Sequence, residues 1–303
     1  MSDDSERRPT VGFVGLGNMG WPMAANLHAA GFPLIVRDVS AETQDRFAAG
    51  HPGALGARSP ADFAVAAIVI TMVPDGAAVR DALLGWGIAA ALRPGTITLD
   101  MSSSDPTDTL RLAAELESFG ISVVDAPVSG GVPRAVTGEL SVMVGGSAAD
   151  VAAVQPVLRV LGDPARQFLT GRLSTGHAMK ALNNVVGAAT SCVIAEALAA
   201  GAGFGLDPAT MIGILNASTG RSFVSELVYG PEVLTGRYGT GFKLGLMAKD
   251  VRIAASAALA VGVDAPVIAL VNELWKKALA ELGPAADQSR AHQAWAGRDD
   301  IVP

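Results

Sequence analysis

Apolar residues in the first half of the chain fall in short unbroken runs set between stretches of helical spacing. Residues 11–15, 34–37, 67–72, 97–100 and 121–124 read as buried strands. Between them, 19–30, 41–49, 75–84 and 106–119 carry helical periodicity, and Gly31 stops the first of these. Strands that do not alternate apolar with polar positions, separated by helices, predict a parallel sheet covered on both faces. Runs at 140–144 and 167–169 add edge strands around a helix at 148–161. Past Gly171 the pattern changes. No strand is expected from Gly176 onward, and helical patterns fill 176–203, 208–216, 242–261, 266–282 and 288–296, punctuated by Gly and Pro.

Composition narrows the class. The 303 residues suffice for two domains. Half are apolar and mean hydropathy is +0.38, so a membrane reading needs testing. The run at 66–73 falls far short of the roughly 20 residues of a spanning helix. The stretch 185–205 is longer, but it carries Glu196 and is dominated by small residues, which favours a buried helix between domains. Net charge is −7 with scattered Lys and Arg, so no basic stripe for nucleic acid is present. A single cysteine, Cys192, excludes a disulfide within the chain and fits a cytoplasmic setting. The polar, charged start lacks the apolar core of a signal peptide and reads as a disordered leader over residues 1–9.

The first strand runs into Gly15-Leu16-Gly17-Asn18-Met19-Gly20 and then a helix. Gly15 permits a sharp turn, Gly17 lets backbone approach a diphosphate, and Gly20 lets the helix pack close to the strand. The diphosphate would then meet the free N–H groups of the helix N-terminus. This context predicts a Rossmann-type dinucleotide site, with the Gly15–Gly20 turn, Asn18 and Met19 included, as its core. Asp38 ends the second strand, where an acid binds a ribose hydroxyl and repels an added phosphate, so NAD is favoured over NADP. Arg37 beside it could swing toward such a phosphate. No metal is expected.

Two further segments carry chemistry. Asp125-Ala126-Pro127-Val128-Ser129-Gly130-Gly131 follows a strand's carboxyl end, where ligands collect; Ser129 and the amides of Gly130 and Gly131 could hold a carboxylate. On the helix starting at Gly176, Lys180 and Asn184 share a face one turn apart. A lysine on an apolar helix is costly to bury without a use, and burial moves a lysine toward proton-transfer duty. Snorkelling is the alternative. His177, one turn before Lys180, reads as a supporting group or a cap.

Together these segments resemble the β-hydroxyacid dehydrogenase family, which includes 3-hydroxyisobutyrate dehydrogenases and tartronate-semialdehyde reductases. The likeness runs in order from Val11 to Leu282. Besides the glycine turn it takes in Thr71-Met72-Val73-Pro74-Asp75, Asp100-Met101-Ser102-Ser103, the Asp125 loop, the Lys180–Asn184 helix, Asn216-Ala217-Ser218-Thr219-Gly220-Arg221 and Leu246-Met247-Ala248-Lys249-Asp250. The resemblance implies an α/β fold, an N-terminal Rossmann doubly wound sheet over 10–172 plus a C-terminal all-helical dimerisation and substrate domain over 173–303. It implies Lys180 as acid/base with Asn184 as its partner, and Ser129, Gly130 and Gly131 as carboxylate holders. Met72, Val73, Ser103 and Lys249 would contact NAD or NADP. The implied activity interconverts a small 3-hydroxyisobutyrate-like acid and its semialdehyde, in a homodimer or homotetramer built through the helical domain. A catalytically silent dinucleotide-binding scaffold and an imine reductase are the alternatives; retention of Lys180 speaks against both. Two positions depart from the family pattern. Ser174 stands where a glycine is common, and Ala77 and Ala78 replace an asparagine near the cofactor.

Overall fold

In a computed structural model that describes residues 8–295, the chain divides into one compact unit through Lys180 and a second from Ala181. The leader expected over 1–9 lies outside the described residues except for Arg8 and Pro9; the Arg8 guanidinium sits over the Phe32 ring. In the first unit β1 (Val11–Val14) leads to α1 (Gly20–Ala29), β2 (Leu34–Arg37), α2 (Ala41–Gly50) and the short β3 (Leu55–Gly56). Then come β4 (Ile68–Thr71), α3 (Gly76–Arg80), α4 (Ile88–Ala91), β5 (Ile97–Asp100), α5 (Pro106–Glu117) and β6 (Ser122–Asp125). The unit continues through β7 (Val128–Ser129), α6 (Gly131–Thr137), β8 (Leu140–Gly145), α7 (Ala148–Leu161) and β9 (Gly162–Gly171). The helix expected at 75–84 is broken: α3 gives way at Asp81–Gly85 to a π-helical turn.

Among the described residues these strands form one sheet in the order β3-β2-β1-β4-β5-β6-β8-β7, with β9 on β8. Strands β1 to β6 pair in parallel, as the apolar runs implied, whereas β8 runs antiparallel to β6 and β7. Both faces are covered, which is why the strands are buried along almost their whole length. Val11, Phe13, Ile68, Ile70, Ile97 and Leu99 pack with α1 and α7 residues such as Met23, Leu27, Val154 and Val157. Val14, Ile35, Val69 and Val123 pack on the other face with Val79, Leu112 and Leu116. One ladder row crosses the sheet at its carboxyl edge: Arg37 pairs with Val14, Val14 with Thr71, Thr71 with Asp100, and Asp100 with Asp125.

The 29-residue α8 (Thr175–Gly203) begins in the first unit, so the division falls eight residues beyond the expected 172/173 boundary. Its first turn stays with the sheet because the Asp125 carboxylate accepts the N–H groups of Ser174 and His177, satisfying amides that a helix start leaves open. The second unit continues with α9 (Pro208–Asn216), a π-helical segment Ser225–Val233, α10 (Leu244–Ala260), α11 (Pro266–Leu282) and a 3-10 segment Gln288–Ala294. Among the described residues no strand follows β9; Lys243 and Asp287 form an isolated bridge. Residue 296, at the end of the last expected helix, lies outside the described residues.

By length and composition α8 is apolar enough to cross a membrane. Its composition has another use. Ala181, Val185, Ala188 and Cys192 pack against Val251 and Ala254 of α10 and Val271 and Trp275 of α11. Farther along, Ile194, Ala195 and Leu198 pack against Ile212, Val228 and Tyr229. The opposite face does not match the expectation of a buried helix, since Leu182, Val186 and Val193 are exposed in the single chain.

Candidate active site

At the end of β1 two glycines of the turn, Gly15 and Gly20, meet different constraints, and Gly17 meets none. Gly15 has φ +99°, and a Cβ there would lie 2.3 Å from the Met72 carbonyl oxygen. A Cβ on Gly20 would lie 1.9 Å from the Gly15 carbonyl oxygen, so α1 can start this close to the strand only with glycine. A Cβ on Gly17 would meet nothing within 4 Å. Gly17 and Asn18 are exposed and Met19 partly so, and they open α1 with no side chain capping its N-terminus. Bare backbone, open space and uncapped helical amides fit a diphosphate.

Asp38, just past β2, is tied back to this turn. Its Oδ2 accepts the Leu16 N–H at 2.7 Å and its Oδ1 accepts the Ser40 N–H at 2.8 Å. The carboxylate is thus fixed beside the glycine turn with lone pairs left for ribose hydroxyls. Arg37 is engaged elsewhere. Its guanidinium lies 4.6 Å from the Trp86 ring centre and donates to the Asp38 carbonyl and to Gln44 Oε1.

The loops after β4, β5 and β6 stand in sequence along the same edge. Ser102 Oγ accepts the Val73 N–H at 3.1 Å, which ties the Met72–Val73 segment to the segment carrying Ser103. Met72, Val73, Ser103 and Ser129 are all partly exposed. The 125–131 segment reads in the sequence as a loop after a strand; in the structure β7 within it pairs with β8, and α6 starts at Gly131. Gly130 and Gly131 take φ of +132° and +64° and are both exposed, leaving their backbone uncovered.

Lys180 is 8% exposed, as is Asn184, so the lysine lies out of bulk water. The Asn184 amide is held on both sides: Nδ2 donates to Asp250 Oδ2 at 2.6 Å, and Oδ1 accepts from Asn183 Nδ2 at 3.1 Å. One amide hydrogen remains to orient a ligand oxygen. Asp250 is buried, and its Oδ1 lies 3.1 Å from Lys249 Nζ, so one carboxylate joins Asn184 to Lys249. In the sequence Asp250 closes the Leu246–Asp250 motif with no role of its own. An acid following a lysine on an apolar helix was the available signal, but its partner lies 66 residues away.

His177 is wholly buried, and so is its environment. Its Nδ1 lies 2.8 Å from Thr109 Oγ1, its Nε2 is 3.5 Å from Asp100 Oδ2, and its Nδ1 is 3.8 Å from Asp125 Oδ2. Burial pushes the Asp125 carboxyl above its ordinary range, opposed by the His177 ring and by the N–H groups of His177 and Ser174.

A doubly wound sheet with a glycine turn, an acid tied to that turn after β2 and a buried lysine fits one class: a nicotinamide-dependent dehydrogenase. Residues 10–174 match the family model described as the NAD binding domain of 6-phosphogluconate dehydrogenase. Residues 174–295 match that described as NAD-binding of NADP-dependent 3-hydroxyisobutyrate dehydrogenase. The chain is 34% identical to 2-(hydroxymethyl)glutarate dehydrogenase of Eubacterium barkeri, covering 96% of each chain. It is 40% identical to the mitochondrial 3-hydroxyisobutyrate dehydrogenase of Homo sapiens over 82% of this chain and 75% of that one. A solved structure of Mycobacterium tuberculosis 3-hydroxyisobutyrate dehydrogenase with L-serine superposes with a TM-score of 0.84 at 32% identity, covering 94% of this chain and 98% of that one. The chain belongs to the β-hydroxyacid dehydrogenase family and is an NAD(P)-dependent oxidoreductase of hydroxy acids.

Proposed function

We propose that the chain oxidises a 2-substituted 3-hydroxypropanoate to its semialdehyde, and reduces it in reverse, with Lys180 as acid/base and NAD as the favoured cofactor. The observation that carries this is the burial of Lys180 four residues before an Asn184 whose amide Asp250 holds in place. The named substrates and ligand of the similar proteins share one unit. 3-Hydroxyisobutyrate, 2-(hydroxymethyl)glutarate and L-serine each carry a primary alcohol on the carbon next to a carboxylate-bearing carbon. Ser129 and the amides of Gly130 and Gly131 hold that carboxylate, and Asn184 orients the alcohol oxygen. Neutral Lys180 removes the hydroxyl proton during oxidation, and protonated Lys180 returns it to the developing alkoxide during reduction. The nicotinamide, when bound, supplies the site that takes or gives the hydride. Gly15–Gly20, Asp38, Met72, Val73, Ser103 and Lys249 hold it.

The family model for residues 174–295 is described for an NADP-dependent enzyme, but the residues at the end of β2 favour NAD. Asp38 presents a carboxylate where a 2′-phosphate would fall, and Arg37 is committed to Trp86 and Gln44. The exposed face of α8 is covered by a second copy. Leu182, Val185, Val186 and Ala189 line a groove of about 200 Å³ with Val267, Ile268 and Val271 of α11. A Val186→Asp variant should therefore be smaller than wild type in light scattering. The enzymatic reading is tested with C3 and C4 hydroxy acids and NADH absorbance. Lys180→Ala should lower kcat by about 10²-fold or more with NAD affinity retained; normal turnover in that variant refutes the acid/base role.

A further inference from the structure

Asp100 and Asp125 end neighbouring parallel strands in direct register, so their side chains leave the same face of the sheet. Both are buried, at 2% and 0% exposure. Like charges paired this way repel, and burial removes the water that would screen them. Each is nevertheless surrounded by donors. Asp100 Oδ1 accepts from Thr71 Oγ1 and the Ser102 N–H, both at 2.9 Å, and Oδ2 accepts from Ser104 Oγ at 2.8 Å. Asp125 accepts the Ser174 N–H at 2.8 Å and the His177 N–H at 2.7 Å, which also places it at the positive end of α8. Two carboxylates that only accept call for a cation between them, and His177 is the side chain there.

The contacts accommodate a proton on each ring nitrogen. Thr109 Oγ1 lies 3.0 Å from the Asp105 carbonyl, to which it can donate its one hydrogen, and a lone pair is then left for an N–H on His177 Nδ1 at 2.8 Å. Nε2 is buried without a hydrogen-bond partner and lies 3.5 Å from Asp100 Oδ2. At 3.5 Å from one buried carboxylate and 3.8 Å from the other, a protonated ring makes an ion pair with both.

We propose that His177 is a positioning residue, held as an imidazolium between Asp100 and Asp125, and that this buried triad sets the register of the segments carrying Ser103, Ser129 and Lys180. The three segments start from the three members. Ser103 is three residues past Asp100, Ser129 four past Asp125, and Lys180 three past His177. The groups facing the ring are Asp100 from β5, Asp125 from β6 and Thr109 from α5; Lys180 follows one turn along α8. Losing the ring charge would leave two facing carboxylates. Asp125, already raised by burial, would take up a proton and grip the first turn of α8 less firmly. Lys180 would then shift relative to the reacting oxygen.

The inference rests on the lysine mechanism for its kinetic consequence but not for its charge state, so the two can fail separately. Nitrogen-15 spectra of histidine-labelled wild-type enzyme read the ring directly; the chain has four histidines, and the His177→Gln spectrum assigns the signal. Both nitrogens should be protonated at neutral pH, and a neutral tautomer there overturns the proposal. His177→Gln keeps a group able to bond Thr109 and removes the charge. It should lower kcat about tenfold to a hundredfold, the range expected for small misplacement of a reacting group, with KM for NAD little changed. A merely structural histidine would lower the melting temperature and leave kcat per folded enzyme intact, and that result also overturns the proposal. Adding Asp125→Asn to His177→Gln removes one of the two facing charges. The double variant should melt higher and turn over faster than His177→Gln alone; losses that simply add refute the charge coupling. Lys180→Ala turning over normally would instead sink the lysine mechanism and leave the ring's charge as measured.

Discussion

Replacing Ser174 by glycine should stabilise the protein, because this residue has φ +79°, in the left-handed region, immediately before α8. For a residue with a Cβ that conformation costs about 1–2 kcal/mol. Glycine removes the cost but gains freedom in the unfolded chain, which takes back roughly 0.5–1 kcal/mol. The backbone contacts survive the change: the residue 174 N–H still reaches Asp125 Oδ1, and its carbonyl still accepts the Ala178 N–H at 3.0 Å. The net gain is about 0.5–1 kcal/mol, which in a domain of this size raises the melting temperature by about 1–4 °C. Ser174→Ala is the control, since it removes the hydroxyl and keeps the Cβ. Urea and thermal unfolding of the three proteins, without cofactor, should place the glycine variant above wild type and the alanine variant at or below it. Glycine and alanine variants of equal stability would show that the backbone at 174 carries no strain. The family commonly has glycine at this position, so the serine marks a local cost in this chain at the entry to its lysine helix.

Three other outcomes follow from side-chain environments. Asp38→Ala should weaken discrimination against NADP, and Trp86→Ala, by freeing Arg37, should shift the ratio of kcat/KM values the same way; an unchanged ratio in both clears this edge of cofactor choice. Burial pushes the Cys192 thiol up to about 12, so a thiol reagent at pH 8 should leave it unreacted until denaturant is added. Rapid labelling of native enzyme would contradict its placement in the helical core. Burial, with Arg290 nearby, holds the His292 ring down to about 4 against an ordinary 6.5, so the folded state carries it neutral. Its contribution is fully present above pH 6.5 and is lost as pH falls toward 4, by roughly 3 kcal/mol. His292→Gln should flatten that part of the stability curve, and parallel curves for the two proteins would refute the burial argument.

Much of the first unit was legible because its signals are local. Runs such as Ile68–Thr71 have apolar residues on both faces, and only a covered parallel strand satisfies that pattern. The glycine turn was legible for a similar reason, as Gly15 and Gly20 answer constraints within a few residues or one strand away. What escaped depended on distance or on short, weak elements. The two-residue β3 and four-residue α4 are below the length at which periodicity shows. The π-helical segment Ser225–Val233 contains Gly230 and Pro231, which read as a break, yet it buries Val228, Tyr229 and Val233 and is anchored by the Tyr229 hydroxyl donating to the Ser191 carbonyl at 2.7 Å.

The domain division shows the same limit from another side. Composition changes at Gly171 because the last strand ends there, but a compact unit is defined by contacts, and α8 is gripped across that point. Its first turn answers to Asp125, 49 residues back, and His177 answers to Thr109, 68 residues back. The sequence shows two apolar runs that each end in aspartate, and a histidine opening a later helix. Only the strand register makes the aspartates neighbours, and only then does the histidine become their counter-ion. Lys180 and Asn184 could be picked out as a pair because helical spacing is local. What holds each of them, Asp125 through the start of the helix and Asp250 through the Asn184 amide, lies in parts of the chain that only the tertiary fold brings close.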